Sequence, residues 1–598
     1  MTLVLRLFLR RLVDNDVVSP NADRHESLAV LCALVVSFAV FVSFLISWEY
    51  LSAFIQLPGP TALSALSDRF LFISASSAVS ALAALMVWDA LALEPRDAAI
   101  LGPLPIPSRT ITRAKLAAAL IFGTVFAAAL NAVPSVLYPL FLTMNLRGTH
   151  GEALLQLIVG HATSVVMAGL FGFFSILATR GLVRLMAGER GFRWVGSSIQ
   201  SVLVVGTVTA VLFAPTVRKT AVREWVAGTI TAPWPARPVL WFLGLNETMA
   251  GHIVAETPVV LPPRLRFLPF SLAQRNDASR AAYQTLLQPF AALAQRAWLS
   301  VPVIVFLSIA AFVWNNRRLP EQTTSDRGRS RIGAAVHSLA GRATAGKPEA
   351  RAGFLFTWQT LTRSAPHRTI VAMAVAAGLT HLLLALAGSG VHRLALPSTP
   401  LGVFAINIMA LAPLIAGFRY AVTVPPEWAS SWTIQMAWLG DERNYLAGVK
   451  RAALVAVVAV PLLLLLPLDV ALLGFTVAAA HSIYAFIVAA TLLDVVFLSY
   501  RQFPFACSYV PIQNPKVIWP AGVTALFTLA YGLSGVERWA LQTAARMVGL
   551  GATLVAIMVL VKMADRANRR ERLPVDFDAR PTLATQRLGL FEHAVDRH

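Results

Sequence analysis

The chain has 598 residues, 57% of them hydrophobic and only 13% charged, with a mean hydropathy of +0.66. Soluble domains carry about 25% charged residues, so a single water-soluble core is excluded and a polytopic membrane protein is expected. The formal net charge of +20 collects in basic stretches beside the apolar runs, where Lys and Arg hold loops on the cytoplasmic side; it indicates topology and no nucleic-acid partner.

The first element, MTLVLRLFLRRLV (1–13), is an apolar run at helical period interrupted by Arg6, Arg10 and Arg11. It is expected to lie in the membrane interface; three arginines inside the run and the following Asp14 and Asp16 do not fit a signal peptide. A first span is predicted over 28–46, with Trp48 and Tyr50 at the interface, and a second over 70–87. Then comes a charged, proline-punctuated loop, EPRDAAILGPLPIPSRTITRAK (94–115). Further spans are predicted over 116–142, 154–178, 195–213 and 298–314, with the stretch 216–296 outside the membrane between the last two. Within it, Pro233-Trp234-Pro235 and the apolar run 239–245 predict short interfacial or re-entrant helices, and 281–297 an amphipathic helix entering the sixth span.

A basic linker (316–350), expected to be flexible, leads to a second half (351–572) and a tail (573–598). The second half opens on another amphipathic segment, FLFTWQTLTR (354–363), followed by spans over 369–386, 401–418, 452–466, 470–498, 518–531 and 547–561. Between its second and third spans lies PPEWASSWTIQMAWLGDERNYLAGVK (425–450), again proline, charge and a closing lysine. The basic stretches fall on alternate sides of successive spans, which places both termini in the cytoplasm. The expected fold is therefore all-α and polytopic, about twelve transmembrane helices as two six-helix repeats.

Chemistry-bearing residues are sparse. Cys32 and Cys507 provide neither a disulfide framework nor a four-ligand zinc site, and no metal site is expected. GRATAGKP (341–348) carries the two glycines and the lysine of a phosphate loop, but proline stands where the magnesium-binding hydroxyl belongs and no apolar strand precedes it, so no nucleotide site is read there. Polar residues within spans are candidates for a substrate path because their burial in lipid is costly. They are Asn131, His161, His381, Asn407, His481 and Asp494, with Asp89 and Arg419 close to the inside ends of their spans.

The layout resembles exporter permeases of the ATP-binding-cassette (ABC) superfamily, type-2 class. The resemblance rests on LGPLPIPSRTITRAKL (101–116), similar to the short coupling helix between second and third spans; on 3–13 and 354–363, similar to the elbow helices; and on PVLWFLGLNETMAG (238–251), similar to a segment common in bacterial members. The second loop departs from the pattern: Trp428, Trp432 and Trp438 stand where a leucine-proline run is usual. The resemblance implies a transport permease of the bacterial inner membrane that is not itself an enzyme. It would export an amphipathic small molecule or a lipid, with ATP and Mg held by soluble ABC ATPase subunits. The residues expected to meet the ATPase are Arg96, Asp97, Ser108 (as a helix cap), Arg109, Arg113 and Lys115 in the first half, and Glu427, Trp428, Asp441, Arg443 and Lys450 in the second. Two rival readings remain: a membrane-embedded lipid-modifying transferase using His381, His481 or Asp494, and an ion-driven secondary transporter, for which Asn131 and Pro134 are the best support.

Overall fold

The computed structural model describes residues 2–13, 40, 43, 62–88, 90, 104, 106–143, 151–217, 222–251, 253, 278–315, 331–389, 399–426, 436, 442–498, 500, 503–507 and 515–570. Every element among them is helical. Among the described residues nine helices are long and apolar enough to cross a membrane, and the protein is an all-α, multi-pass membrane protein. The chain divides into two compact units, 1–326 and 327–598. The expected first span, apart from Val40 and Ser43, lies outside the described residues, as does the tail.

The first unit comprises α1 (Thr2–Val13), α2 (Ala62–Met86), α3 (Ser108–Thr143), α4 (Gly151–Gly188), α5 (Trp194–Thr216), α6 (Arg237–Asn246) and α7 (Leu287–Asn315). The amphipathic α1 buries Phe8 and Leu12, and it packs on α3. Helices α2 and α4 run parallel: the rings of Phe72 and His161 are 5.2 Å apart, Ser76 Oγ donates to the Val165 carbonyl at 2.6 Å, and Gly172 abuts the Ser77 carbonyl. Between lipid-facing helices there is no water to expel, so association depends on close packing and interhelical hydrogen bonds. A serine stripe on α2 facing Gly169 and Gly172 on α4 supplies both. Helix α3 runs the other way between them, Asn131 reaching Ser76 and Tyr138 reaching the Ala65 carbonyl.

The basic stretch 180–193, between the fourth and fifth predicted spans, is helical on both sides of a single break at Gly188, whose φ of 63° suits glycine. Arg180 is buried within that region, its guanidinium over the rings of Trp88 and Phe192. Helix α6 packs against α2, α4 and α7, and its Val239, Leu240, Phe242, Leu243 and Leu245 are part of the unit's core, so this piece of the expected outside region is buried protein.

In the second unit the linker holds structure that the sequence reading missed. Residues 331–343 form α8 (Arg331–Ala343), which turns sharply through Ala345 and Gly346, both at positive φ, into α9 (Pro348–Arg363). Ala340 of α8 is fully buried with Phe354 and Ala452. GRATAGKP is thus the end of one helix, a left-handed turn and the start of another. Then follow α10 (Ala365–Ser389), α11 (Ile406–Ala421), α12 (Arg443–Leu473), α13 (Phe475–Val496), α14 (Pro515–Ala540) and α15 (Ala544–Arg570). Helices α10 and α11 are antiparallel, Gly378 against Ala410 and Gly417 against Ala374. Helix α12 contains a π-helical turn over Leu454–Ala459, and Gly474, at φ 80°, separates it from α13.

Helix α9 lies on the opening of α12 as α1 lies on the opening of α3. The α9–α12 seam is backbone against backbone: a Cβ at Gly448 would stand 1.9 Å from the Ala350 carbonyl oxygen, and one at Gly353 2.3 Å from that of Tyr445. Overpacking of this kind costs about 1–3 kcal/mol. Gly448→Ala is therefore expected to lower the thermal midpoint of the purified protein by several degrees, whereas Gly549→Ala, with no atom within 4 Å, leaves it unchanged or slightly raised; tryptophan fluorescence on heating distinguishes the two.

Candidate functional site

Each unit has a near end, where its third span begins, and a far end. At the near end of the first unit, the Pro107 carbonyl accepts from the amides of Thr110 and Ile111, so Ser108 is the first helical residue and Pro107 holds the cap position expected for Ser108. Arg109 and Arg113 are exposed, one turn apart on α3. Lys115 is turned inward, buried over the Phe8 ring at 4.8 Å. In the second unit Arg443 is exposed, whereas Lys450 Nζ lies 3.1 Å from Asp494 and 3.3 Å from Asp565. Thus both lysines expected to face a partner brace their own unit instead, and Asp494, expected on a substrate path, is the ion-pair partner of one of them. Arg96, Asp97, Asp89, Glu427, Trp428 and Asp441 lie outside the described residues.

The far ends hold the buried polar chemistry. In the first unit Arg69 Nε lies 3.1 Å from Glu247 Oε1, the side chains 2% and 0% exposed, and the Tyr283 hydroxyl donates to Glu247 Oε2. Burial, and then the Glu247 charge, push the Tyr283 hydroxyl above its ordinary range, so it acts as a donor. Beside them His161 packs between Phe72 and Tyr138, and Asn246 Nδ2 bonds to Ser164 Oγ at 2.8 Å with His161 Nδ1 at 3.4 Å. Asn246 and Glu247 close α6, which explains the burial of that helix: it carries a carboxylate to the arginine that α2 brings into the bundle.

In the second unit His481 Nδ1 is 2.7 Å from Glu537 Oε1, and Asn407 Nδ2 donates to Asp469 Oδ2 at 2.9 Å. His381 is separate: its Nε2 faces the Gly402 carbonyl at 3.3 Å, and its ring is edge-on to Tyr531. Asn131 is likewise tied into helix packing through Ser76 and the Ala127 carbonyl. His481 and Asp494 lie thirteen residues apart on α13, about 20 Å at 1.5 Å per residue, so the transferase candidates do not converge. Among the described residues no group of three His, Cys, Asp or Glu is arranged to hold a metal ion.

Arg69, Glu247, Tyr283, Asp469 and Glu537 were not among the residues singled out from sequence. Three of them were hidden by one cause. Spans were predicted to begin at 70, end at 466 and end at 531, each stopping just short of a charge, whereas α2, α12 and α14 carry Arg69, Asp469 and Glu537 inside the helix. The usable signal was an isolated acid in LLLLLPLDVALL and an arginine beside FLFIS.

Compared with known proteins, the chain matches no family model, no curated protein and no solved structure.

Removing one partner of a buried ion pair costs about 3–5 kcal/mol because the other charge is left uncompensated, while replacing both with apolar groups costs far less. Arg69→Met is expected to destabilise the protein by that amount, and Arg69→Met with Glu247→Met to recover much of it. Thermal unfolding in detergent measures both; equal losses in the single and double variants would contradict the pairing as the source.

Proposed function

We propose that this chain is the membrane-spanning permease component of an ABC-type exporter of the bacterial inner membrane. Both termini are cytoplasmic, and separately encoded ATPase subunits carry ATP and Mg. The cargo is an amphipathic or hydrophobic molecule, moved by alternating access.

The observation that carries the reading is the repeated near end. In each unit an amphipathic helix, α1 or α9, is packed on the opening of a long span, α3 or α12, and exposed arginines stand at that opening. A partner that displaces such a corner moves two elements together, and the Gly448–Ala350 backbone contact makes the corner stiff. Arg109 and Arg113 supply charge-assisted contacts for an acidic groove on the ATPase. Lys115 and Lys450 have a different role: held by Phe8 and by Asp494 with Asp565, they fix the loop to the bundle so that motion is transmitted.

Purification of the tagged protein from its host in mild detergent is expected to bring a soluble ATPase with it. Arg109→Glu with Arg113→Glu reverses two exposed charges without touching the core and is expected to reduce recovered ATPase at least tenfold. No ATPase with the parent chain, or equal recovery with the variant, would refute the proposed coupling.

A further inference from the structure

Among the described residues, the buried cluster at the far end of the second unit holds more acid than base. Asp469 of α12, His481 of α13 and Glu537 of α14 lie in one buried cluster with Asn407 of α11, none more than 2% exposed. Among the described residues, the charges acting on the three ionisable groups are one another. His381 of α10 faces the Gly402 carbonyl and the Tyr531 ring, and several charged groups on the packed helices are engaged elsewhere. Arg419 of α11 lies over Tyr500 and reaches the Val496 carbonyl, Lys450 of α12 pairs with Asp494 of α13 and Asp565 of α15 at the near end, and Arg546 of α15 is exposed and donates to Gln542. Arg538, next to Glu537 in sequence, is half-buried.

Two carboxylates and one imidazole are neutral together only when they share two protons. Fully deprotonated, they would place two negative charges in a region that solvates none, a cost of several kcal/mol per ion. One of the two protons makes the His481–Glu537 pair neutral, whichever partner holds it. The rest of the cluster is under-bonded: His481 Nε2, Glu537 Oε2 and Asn407 Oδ1 are buried and have no hydrogen-bond partner among the described residues. Buried polar atoms are almost always satisfied, and sites that break this rule, with ionisable groups inside a membrane-spanning bundle, mark ion and proton binding. The first unit provides the contrast, since there Glu247 is matched by Arg69 and no extra proton is needed.

We propose that Asp469, His481 and Glu537 form a proton-binding site that holds one proton beyond the His481–Glu537 pair and exchanges it with the compartment at the far end. The route is short. Asp469 lies four residues from the end of α12 and Glu537 three from the end of α14, about 5 Å of helix in each case. With the proton bound, the cluster is neutral and α11, α12, α13 and α14 are held together. As pH rises and the proton leaves, two carboxylates share one imidazole and the contact weakens. The site does not depend on what drives transport.

The test is infrared difference spectroscopy of the purified full-length chain in lipid nanodiscs, stepped through pH in choline and in sodium buffer. A protonated-carboxyl band that disappears as pH rises is expected in both buffers. Asp469→Asn or Glu537→Gln should remove it, and the other of the two should shift its midpoint by at least one pH unit, while Glu247→Gln leaves it in place. No titrating band in the parent chain, or a band unchanged in both variants, would overturn the proposal. A band seen in choline but abolished by sodium would overturn it in favour of a cation site. Neither ATPase nor cargo enters the measurement, so its failure is separate from failure of the transport reading.

Discussion

A charge carried into an apolar helix bundle has to meet its counter-charge inside the bundle, and in this protein that requirement decides which elements are buried. Arg69 enters with α2, and the carboxylate it needs comes from Glu247, 178 residues away, at the end of α6. Helix α6 is consequently drawn among α2, α4 and α7, and Tyr283 follows to complete the carboxylate's bonding. In the second unit His481 and Glu537 tie α13 to α14 in the same way. Each pair contributes more to choosing one packing arrangement than to stability, because desolvating two charges offsets most of their attraction.

The closest of the other helix contacts are made by small residues. Serines on α2 against Gly169 and Gly172 of α4, and Gly353 and Gly448 across the α9–α12 seam, let backbones approach where bulkier side chains would hold them apart. Large apolar side chains serve both surfaces: Phe242, Phe290 and Phe418 fill the cores, while Leu299 and Phe306 on α7, Leu463 and Leu464 on α12, Val548 and Leu560 on α15 are exposed, as lipid contact requires.

The two ends of each unit are chemically distinct. The near ends present Arg109, Arg113 and Arg443 and anchor their lysines internally, which suits a corner gripped by a soluble partner. The far ends bury Arg69 with Glu247 and His481 with Glu537, which keeps those charges from lipid. Among the described residues, the buried far-end group of the first unit includes an arginine and that of the second does not.

Composition, the apolar runs and the alternation of basic stretches were enough to establish an all-helical membrane protein, because span length and hydropathy are local properties that the bilayer reads directly. The amphipathic segments at 3–13 and 354–363 were legible for the same reason: helical period is a local pattern. Local pattern could not say where a helix ends when its last turns carry a charge. Arg69, Asp469 and Glu537 look like boundaries in sequence and become interior residues only once Glu247, Asn407 and His481 arrive from elsewhere in the chain. The inward turn of Lys115 and Lys450 was hidden likewise, since an exposed anchor and a buried brace have the same sequence signature. Which one a lysine becomes is decided by Phe8, Asp494 and Asp565, and only the tertiary structure brings those within reach.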